Sequence, residues 1–140
     1  MKKFISLHSG SIVLLPLFWL ALSMPAYATN TPGMRASFNA CIDRSGGVTS
    51  SMNDCIGIEL DYQNSRLKRI YKRLMAAFDK AGQEQMRQAE QAWNAMMKAY
   101  CDPGPEPGTG QSLDAYGCTL NETAKRASML EYMNQHKSNV

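Results

Sequence analysis

The chain has 140 residues, with 15 Lys plus Arg, 12 Asp plus Glu and four cysteines. This length accommodates one domain and excludes a two-lobed enzyme. The formal net charge is only +3 and falls further once a predicted leader is removed, so a basic nucleic-acid-binding protein is also excluded.

The first 28 residues have the pattern of a cleavable signal peptide. A positive start, Lys2 and Lys3, is followed by an apolar run over residues 12–22. Ala26 and Ala28 then give the small-x-small pattern that a signal peptidase recognises. We therefore expect cleavage after Ala28 and export to the periplasm or the medium.

Residues 29–140 would then form a single domain with 13 positive and 12 negative residues. His136 would be its only histidine, which excludes a Cys2His2 zinc site, a three-histidine metal site and a histidine-based catalytic triad. No second apolar segment approaches the roughly 20 residues that span a bilayer, so we expect no membrane span after cleavage. No cofactor is predicted.

Two helices are expected in the first part of this domain. Apolar residues at helical spacing predict a short helix from about Met34 to Ile42, which stops before Ser45 and two glycines. A long second helix runs to about Lys80, with Gly82 at its C-terminus, and a hydroxyl can cap its first turn at Thr49, Ser50 or Ser51. Its apolar residues fall in one stripe that is about 100° wide: Ile56, Leu60, Leu67, Ile70, Tyr71, Leu74 and Phe78.

Two further helices complete the predicted fold. A third helix over about residues 83–100 has its apolar side at Met86, Ala89, Trp93, Met96, Met97 and Tyr100. Residues 102–110 hold three prolines and three glycines, which predicts a loop. The last helix is expected to begin between residues 112 and 119, with Thr119 and Glu122 as a capping box. No strand pattern is visible, so we predict an all-α fold built on a long antiparallel helical hairpin with short flanking helices.

The four cysteines predict two disulfides, because an even number in a small exported chain is typical of structural bridges. No C-x-x-C pair is present, which argues against a redox motif or a zinc ribbon. If the long helices are straight, Cys55 and Cys101 lie roughly 39 and 30 Å from the hairpin turn, too offset to pair. We favour Cys41–Cys55 with Cys101–Cys118, which close local loops; Cys41–Cys101 with Cys55–Cys118 remains open.

The order of cysteines and aromatic residues resembles the small exported helical domain of LprI-type lysozyme inhibitors. The resemblance covers about residues 38–132 and is carried by Cys41, M-N-D-Cys55, Leu67-x-x-x-Tyr71, Ala89-x-x-x-Trp93, Cys101, a Gly-rich loop, Cys118 and Thr123-x-x-Arg126-x-x-x-Leu130. Such domains usually have a glutamine three residues before the Trp, where this chain has Glu90. The resemblance implies a protein that binds a lysozyme-class glycosidase, blocks its cleft and is not itself an enzyme.

Two disulfide-closed segments are the candidate contacts with such a partner. A lysozyme cleft is lined by two carboxylates, so a protein that plugs it needs a rigid protrusion with hydrogen-bond donors. The first segment offers Arg44, Ser45 and Ser50 for that role. The second is stiffer and acidic, offers Glu106 and Thr109, and suits the cationic outer surface of a lysozyme.

Two other features have simpler interpretations. Five basic residues within eight positions could hold an anionic envelope partner, which is the alternative function, but their helical angles predict a solvated outer face: Arg66, Lys68, Arg69, Lys72 and Arg73. Methionines in an exported chain could bind copper, but Met86, Met96 and Met97 share a stripe with Trp93 and predict core packing.

Overall fold

The structure, a computed structural model, describes residues 33–136. The predicted leader, residues 1–28, lies outside the described residues. Four helices make up the described part of the chain: α1 (Ala36–Arg44), α2 (Thr49–Ala77), α3 (Lys80–Tyr100) and α4 (Thr109–His136). Residues 33–136 contain no strand, so the predicted all-α class is confirmed. None of these helices has the length and apolar character needed to cross a membrane.

The turn between α1 and α2 forms where the sequence placed it. The Ser45 hydroxyl donates to the Ile42 carbonyl at 2.7 Å and closes the end of α1. Gly46 and Gly47 follow with φ of +59° and +80°, a left-handed conformation that side chains with a Cβ rarely adopt. The chain therefore reverses within four residues, and α1 lies antiparallel to the first half of α2.

The junction between α2 and α3 differs from the prediction. Phe78 is extended and ends α2, and the Asp79 carboxylate accepts a hydrogen bond from the Gly82 N–H at 2.8 Å. Asp79 is thus the N-cap of α3, and Gly82 lies in the first turn of that helix rather than after the end of α2. The prediction was wrong because Asp79, a strong N-cap residue, begins a new helix before Gly82.

Helix α4 begins earlier than the sequence suggested. The side-chain oxygen of Gln111 accepts from the Gly108 N–H at 2.8 Å, which is the backward half of a capping box around Thr109. The predicted capping box at Thr119 and Glu122 is wrong, since the Thr119 hydroxyl donates to the Ala115 carbonyl within the helix. The Gly-rich composition of residues 108–110 hid this helix start.

Helices α2 and α4 form the largest interface of the bundle. They run parallel: Gly57 of α2 lies beside Tyr116 of α4, and further along Arg66 bonds to Ser128 and Glu131. A Cβ at Gly57 would lie 3.0 Å from the Tyr116 hydroxyl, so a larger residue there would require the end of the tyrosine side chain to shift by a few tenths of an ångström. The buried residues of α4 are the small Ala124 and Ala127 together with Leu120, Thr123 and Leu130.

Helix α3 returns along both of these helices. Its buried Met86 packs in a core cluster with Ile70, Leu74 and Leu130. Leu74 and Leu130 have no exposed surface, so this cluster is the centre of the hydrophobic core. The predicted α2–α3 hairpin therefore does not provide the main packing of the protein, because the more extensive contact of α2 is with α4.

Both disulfides have the favoured pairing. Cys41 bonds to Cys55 with a Cα–Cα distance of 5.7 Å, and Cys101 bonds to Cys118 with 5.6 Å. Because α2 and α4 run parallel, the bridges lie near the N-terminal ends of both helices. We call this region the disulfide end; it comprises the turn at residues 45–48, the first turn of α2 and the loop at residues 102–108.

Candidate partner-binding surface

The turn at residues 45–48 is a rigid tip of the disulfide end. Cys41 and Cys55 fasten its two sides, and the Ser45 side chain is buried beneath it. Ser45 Oγ donates to the Ile42 carbonyl and lies 3.4 Å from the Gly47 N–H that donates to it. The prediction that Ser45 contacts a partner therefore lacks structural support, because its hydroxyl is used to form the turn.

The first turn of α2 exposes hydrogen-bond donors on this tip. Val48 is the N-cap residue and supplies no side-chain hydrogen bond, so the prediction that Thr49, Ser50 or Ser51 caps the helix is wrong. The first turn also lacks an acidic residue. The initial N–H groups of a helix point outward and carry the positive end of its dipole. They are thus available to an acceptor from outside.

Side chains around this first turn also supply hydrogen-bond donors. Ser50 is exposed, and Arg44 is exposed in the last turn of α1. Val48 is 54% exposed and adds an apolar contact at the tip. The structure therefore brings Arg44 and Ser50, two of the predicted partner-binding residues, to one donor-rich tip that is suited to carboxylates.

The loop at residues 102–108 forms the other half of the disulfide end and is acidic. Asp102 accepts from the Gly104 N–H at 2.8 Å, which fixes the start of the loop. Glu106 and Thr109 are exposed, as predicted for contact residues. A shallow cavity of about 290 Å³ adjoins the loop and is lined by acidic and aromatic side chains, among them Tyr100, Asp102 and Asp114. This half of the surface is suited to cationic groups.

A polar network inside the bundle was not found by sequence reasoning. Glu59 is 1% exposed and accepts from the Arg35 side chain at 2.7 Å and from the Gln63 amide at 2.8 Å. Gln63 is fully buried and also donates to the Gly33 carbonyl at 2.7 Å. These bonds attach the segment before α1 to α2. The spacing of Glu59, Gln63 and Arg66 on one helix face was the signal that could have revealed the network.

Arg66 continues this network across to α4. Its Nε donates to Glu131 at 2.7 Å, and its other nitrogens donate to Gln63 and Ser128, each at 3.0 Å. The prediction that Arg66 belongs to a solvated basic face is therefore wrong; its charge is used between α2 and α4. The other four members of that face are exposed: Lys68, Arg69, Lys72 and Arg73.

The Arg66–Glu131 pair makes a testable contribution to stability. The hydrogen bond from Arg66 holds the pKa of Glu131 below its ordinary value of 4.5. A depressed pKa means that the stabilisation is present above that ordinary value and is lost as the pH falls through the lower, folded-state value. We expect Glu131→Gln to lower the free energy of unfolding at pH 7 by about 1 kcal/mol or less, because the carboxylate is partly exposed.

Urea unfolding at about pH 7 and about pH 3 measures this effect. The difference between the natural protein and Glu131→Gln should shrink at the lower pH. Glu106→Gln, a change of the same kind on the exposed loop, is the control and should show little difference at either pH. A deficit of Glu131→Gln that is the same at both pH values would contradict the assignment.

A second ion pair joins α3 to α4 beside an apolar groove. Arg126 Nε donates to Glu90 at 2.7 Å, and the Arg126 guanidinium lies 5.8 Å from the centre of the Trp93 ring. The charge of Glu90 is thus balanced by Arg126. Met96 lines the groove and is 60% exposed, so the prediction that it fills the core is wrong.

Within residues 33–136, no group of three or more His, Cys, Asp or Glu side chains is arranged to hold a metal ion. No curated protein and no solved structure matches the chain significantly. The family model described as "Lysozyme inhibitor LprI" matches residues 41–130, which span more than half of the chain and include all four cysteines. The chain therefore belongs to the LprI family of lysozyme inhibitors.

Proposed function

We propose that this chain is an exported protein inhibitor, not an enzyme, and that its disulfide end binds a lysozyme-class cell-wall hydrolase and blocks the catalytic cleft. Its family supports the class of partner. The signal-peptide pattern of the first 28 residues and the two disulfides support export, because disulfides persist in oxidising compartments.

One observation carries the assignment of the contact surface: the first turn of α2 has no side-chain cap and carries the exposed Ser50 on a disulfide-fastened tip. A glycosidase cleft of this class presents two carboxylates at the scissile bond. Carboxylates accept hydrogen bonds from outward N–H groups, from the Ser50 hydroxyl and from the Arg44 guanidinium. We infer that this tip enters the cleft.

Rigidity of the tip favours binding as well. Ordering a flexible loop on docking costs free energy, and a preformed protrusion avoids much of that cost. Here Cys41–Cys55 and the buried Ser45 hydroxyl hold the tip in one conformation before any partner is present. The acidic loop at residues 102–108 would then face basic residues outside the cleft, where complementary charge speeds association.

A turbidity-clearing assay tests the proposal, with lysozyme acting on a suspension of bacterial cell walls. An excess of the purified protein should slow clearing. Arg44→Glu should weaken inhibition about tenfold or more, because it replaces a donor facing carboxylates with a like charge. Arg73→Glu makes the same change of charge at an exposed site on α2 far from the disulfide end, and it should inhibit normally.

Two results would contradict the proposal in different ways. Undiminished clearing at excess protein would contradict the proposal that the protein inhibits lysozyme. Equal loss of inhibition by Arg44→Glu and Arg73→Glu would contradict the assignment of the tip as the contact surface. It would indicate an effect of overall charge.

A further inference from the structure

An apolar groove lies between α3 and α4. Its volume is about 400 Å³, and its apolar lining comes from both helices: Ala92, Trp93, Met96 and Met129. Tyr132 and Met133 are exposed and lie three and four residues after Met129, so they continue the same face of α4. We call the groove together with these two side chains the α3–α4 strip.

The sequence of α3 has a longer apolar stripe than the bundle buries. The stripe extends from Met86 to Tyr100, yet within α3, whose residues are all described, Met86 alone is buried. Trp93 is half-buried, and Met96 and Tyr100 are exposed. Contiguous exposed apolar side chains indicate an interaction surface, whereas single ones are common on any protein. The stripe of α3 is thus left largely uncovered by residues 33–136.

The charged residues that line the groove form pairs of opposite sign. Arg126 bonds to Glu90, and little of either side chain is exposed. Lys125 Nζ lies 2.7 Å from the Glu122 carboxylate, and the Lys125 side chain is 61% exposed. A partner that covers the groove therefore meets one positive and one negative group, one helical turn apart. A surface of a single sign matches only half of this pattern.

A second copy of this chain carries the matching pattern. Two copies of a helix related by a two-fold axis perpendicular to it run antiparallel, and each contact between two different residues is made twice. When Glu122 of one copy lies opposite Lys125 of the second, Lys125 of the first copy also lies opposite Glu122 of the second. Both charges are then matched, and the two apolar strips cover each other.

We propose that two copies of this chain associate through the α3–α4 strip, with their α4 helices antiparallel across a two-fold axis near Glu122 and Lys125. The Arg126–Glu90 bond and the Cys101–Cys118 bridge set the register of α3 against α4. This register places Met96 level with Glu122, so the two Met96 side chains meet near the axis. Methionine is flexible and polarizable, which suits an apolar contact of this kind.

The arrangement leaves the proposed inhibitory surface accessible. The disulfide end lies at the N-terminal end of α4, so antiparallel α4 helices place the two disulfide ends at opposite ends of the dimer. The α3–α4 strip shares no residue with the turn at residues 45–48 or the loop at residues 102–108. This inference therefore does not rest on the proposed inhibition.

Sedimentation velocity at protein concentrations of about 1 to 100 μM tests self-association. The average mass should rise with concentration to twice that of the monomer. Met96→Ser should weaken self-association about tenfold or more, because it removes apolar contact near the axis. Ile58→Ser makes a similar change at a position of α2 that is 63% exposed and outside the strip, and it should associate normally.

Reversal of charge tests the two-fold pairing. Lys125→Glu and Glu122→Lys each place like charges opposite each other twice, so each alone should weaken self-association about tenfold or more. An equal mixture of the two variants restores both contacts between opposite charges, and native mass spectrometry should detect the mixed dimer. Lys72→Glu reverses a charge at an exposed position of α2 outside the strip and should associate normally.

The proposal is overturned if the natural protein stays monomeric up to about 100 μM. A dimer that Met96→Ser leaves intact overturns the strip as the interface, and a mixture without mixed dimers overturns the two-fold pairing. Met96→Ser should inhibit lysozyme normally, so failure of this proposal and failure of the proposed inhibition are distinguishable.

Discussion

Replacing Cys41 and Cys55 together by alanine is expected to lower the free energy of unfolding by about 3 kcal/mol and to weaken lysozyme inhibition strongly. The bridge spans a sequence separation of 14 residues, and opening it increases the conformational freedom of the unfolded chain. A loss of about 3 kcal/mol in a domain of about 100 residues corresponds to a decrease in Tm of about 12 to 24 °C. Inhibition weakens because the tip is no longer held in one conformation.

The second bridge provides a matched control. Cys101 and Cys118 are 17 residues apart, so their joint replacement by alanine should cost about the same free energy of unfolding. It releases the acidic loop at residues 102–108 and leaves the tip fastened. We therefore expect similar destabilisation and a smaller loss of inhibition.

Thermal unfolding followed by circular dichroism, with clearing assays well below Tm, separates these effects. If the Cys101–Cys118 variant lost more inhibition than the Cys41–Cys55 variant, the acidic loop would be the principal contact. If neither variant were destabilised, the bridges would not constrain the unfolded chain as inferred.

The second large effect is expected from Ser50→Asp, which separates folding from binding. Ser50 lies in the first turn of α2, where a negative charge interacts favourably with the helix dipole by about 0.3 to 1 kcal/mol. The free energy of unfolding should therefore stay the same or rise slightly. Inhibition should weaken about thirtyfold or more, because the new carboxylate would face the carboxylates of the cleft.

Ser50→Asn is the control, since asparagine has nearly the same shape as aspartate and carries no charge. We expect it to keep both stability and inhibition close to those of the natural protein. Urea unfolding and the clearing assay are needed on all three proteins. An aspartate variant that inhibits normally would show that the first turn of α2 does not enter the cleft.

Local features of the structure could be predicted well because they depend on neighbouring residues. The helical period placed α1 and most of α2 and α3, and the glycines after Ser45 marked the first turn. Helix length argued only against Cys55–Cys101, and the preference for short local loops favoured the pairing that the structure has. The boundaries predicted at Gly82 and Thr119 were wrong because the side chains of Asp79 and Gln111 cap helices that begin before these residues.

The structure gives the exposure of each predicted contact residue. Arg44, Ser50, Glu106 and Thr109 are exposed at one end of the bundle, as a contact surface requires. Ser45 is buried, because its hydroxyl is needed to close α1. No sequence pattern showed that the first turn of α2 would lack a cap among three consecutive hydroxyl residues.

The sequence by itself determined the helices and their approximate limits and favoured the two local bridges, because backbone hydrogen bonds and short loops depend on residues close in the chain. The tertiary structure alone decided that α2 packs parallel to α4, which brings both disulfide segments to one end. It also decided that Glu59, Gln63 and Arg66 are bonded within the bundle while Arg69 and Arg73 are exposed. The helical period shows which residues share a face, but which helix covers that face depends on the packing of residues distant in sequence.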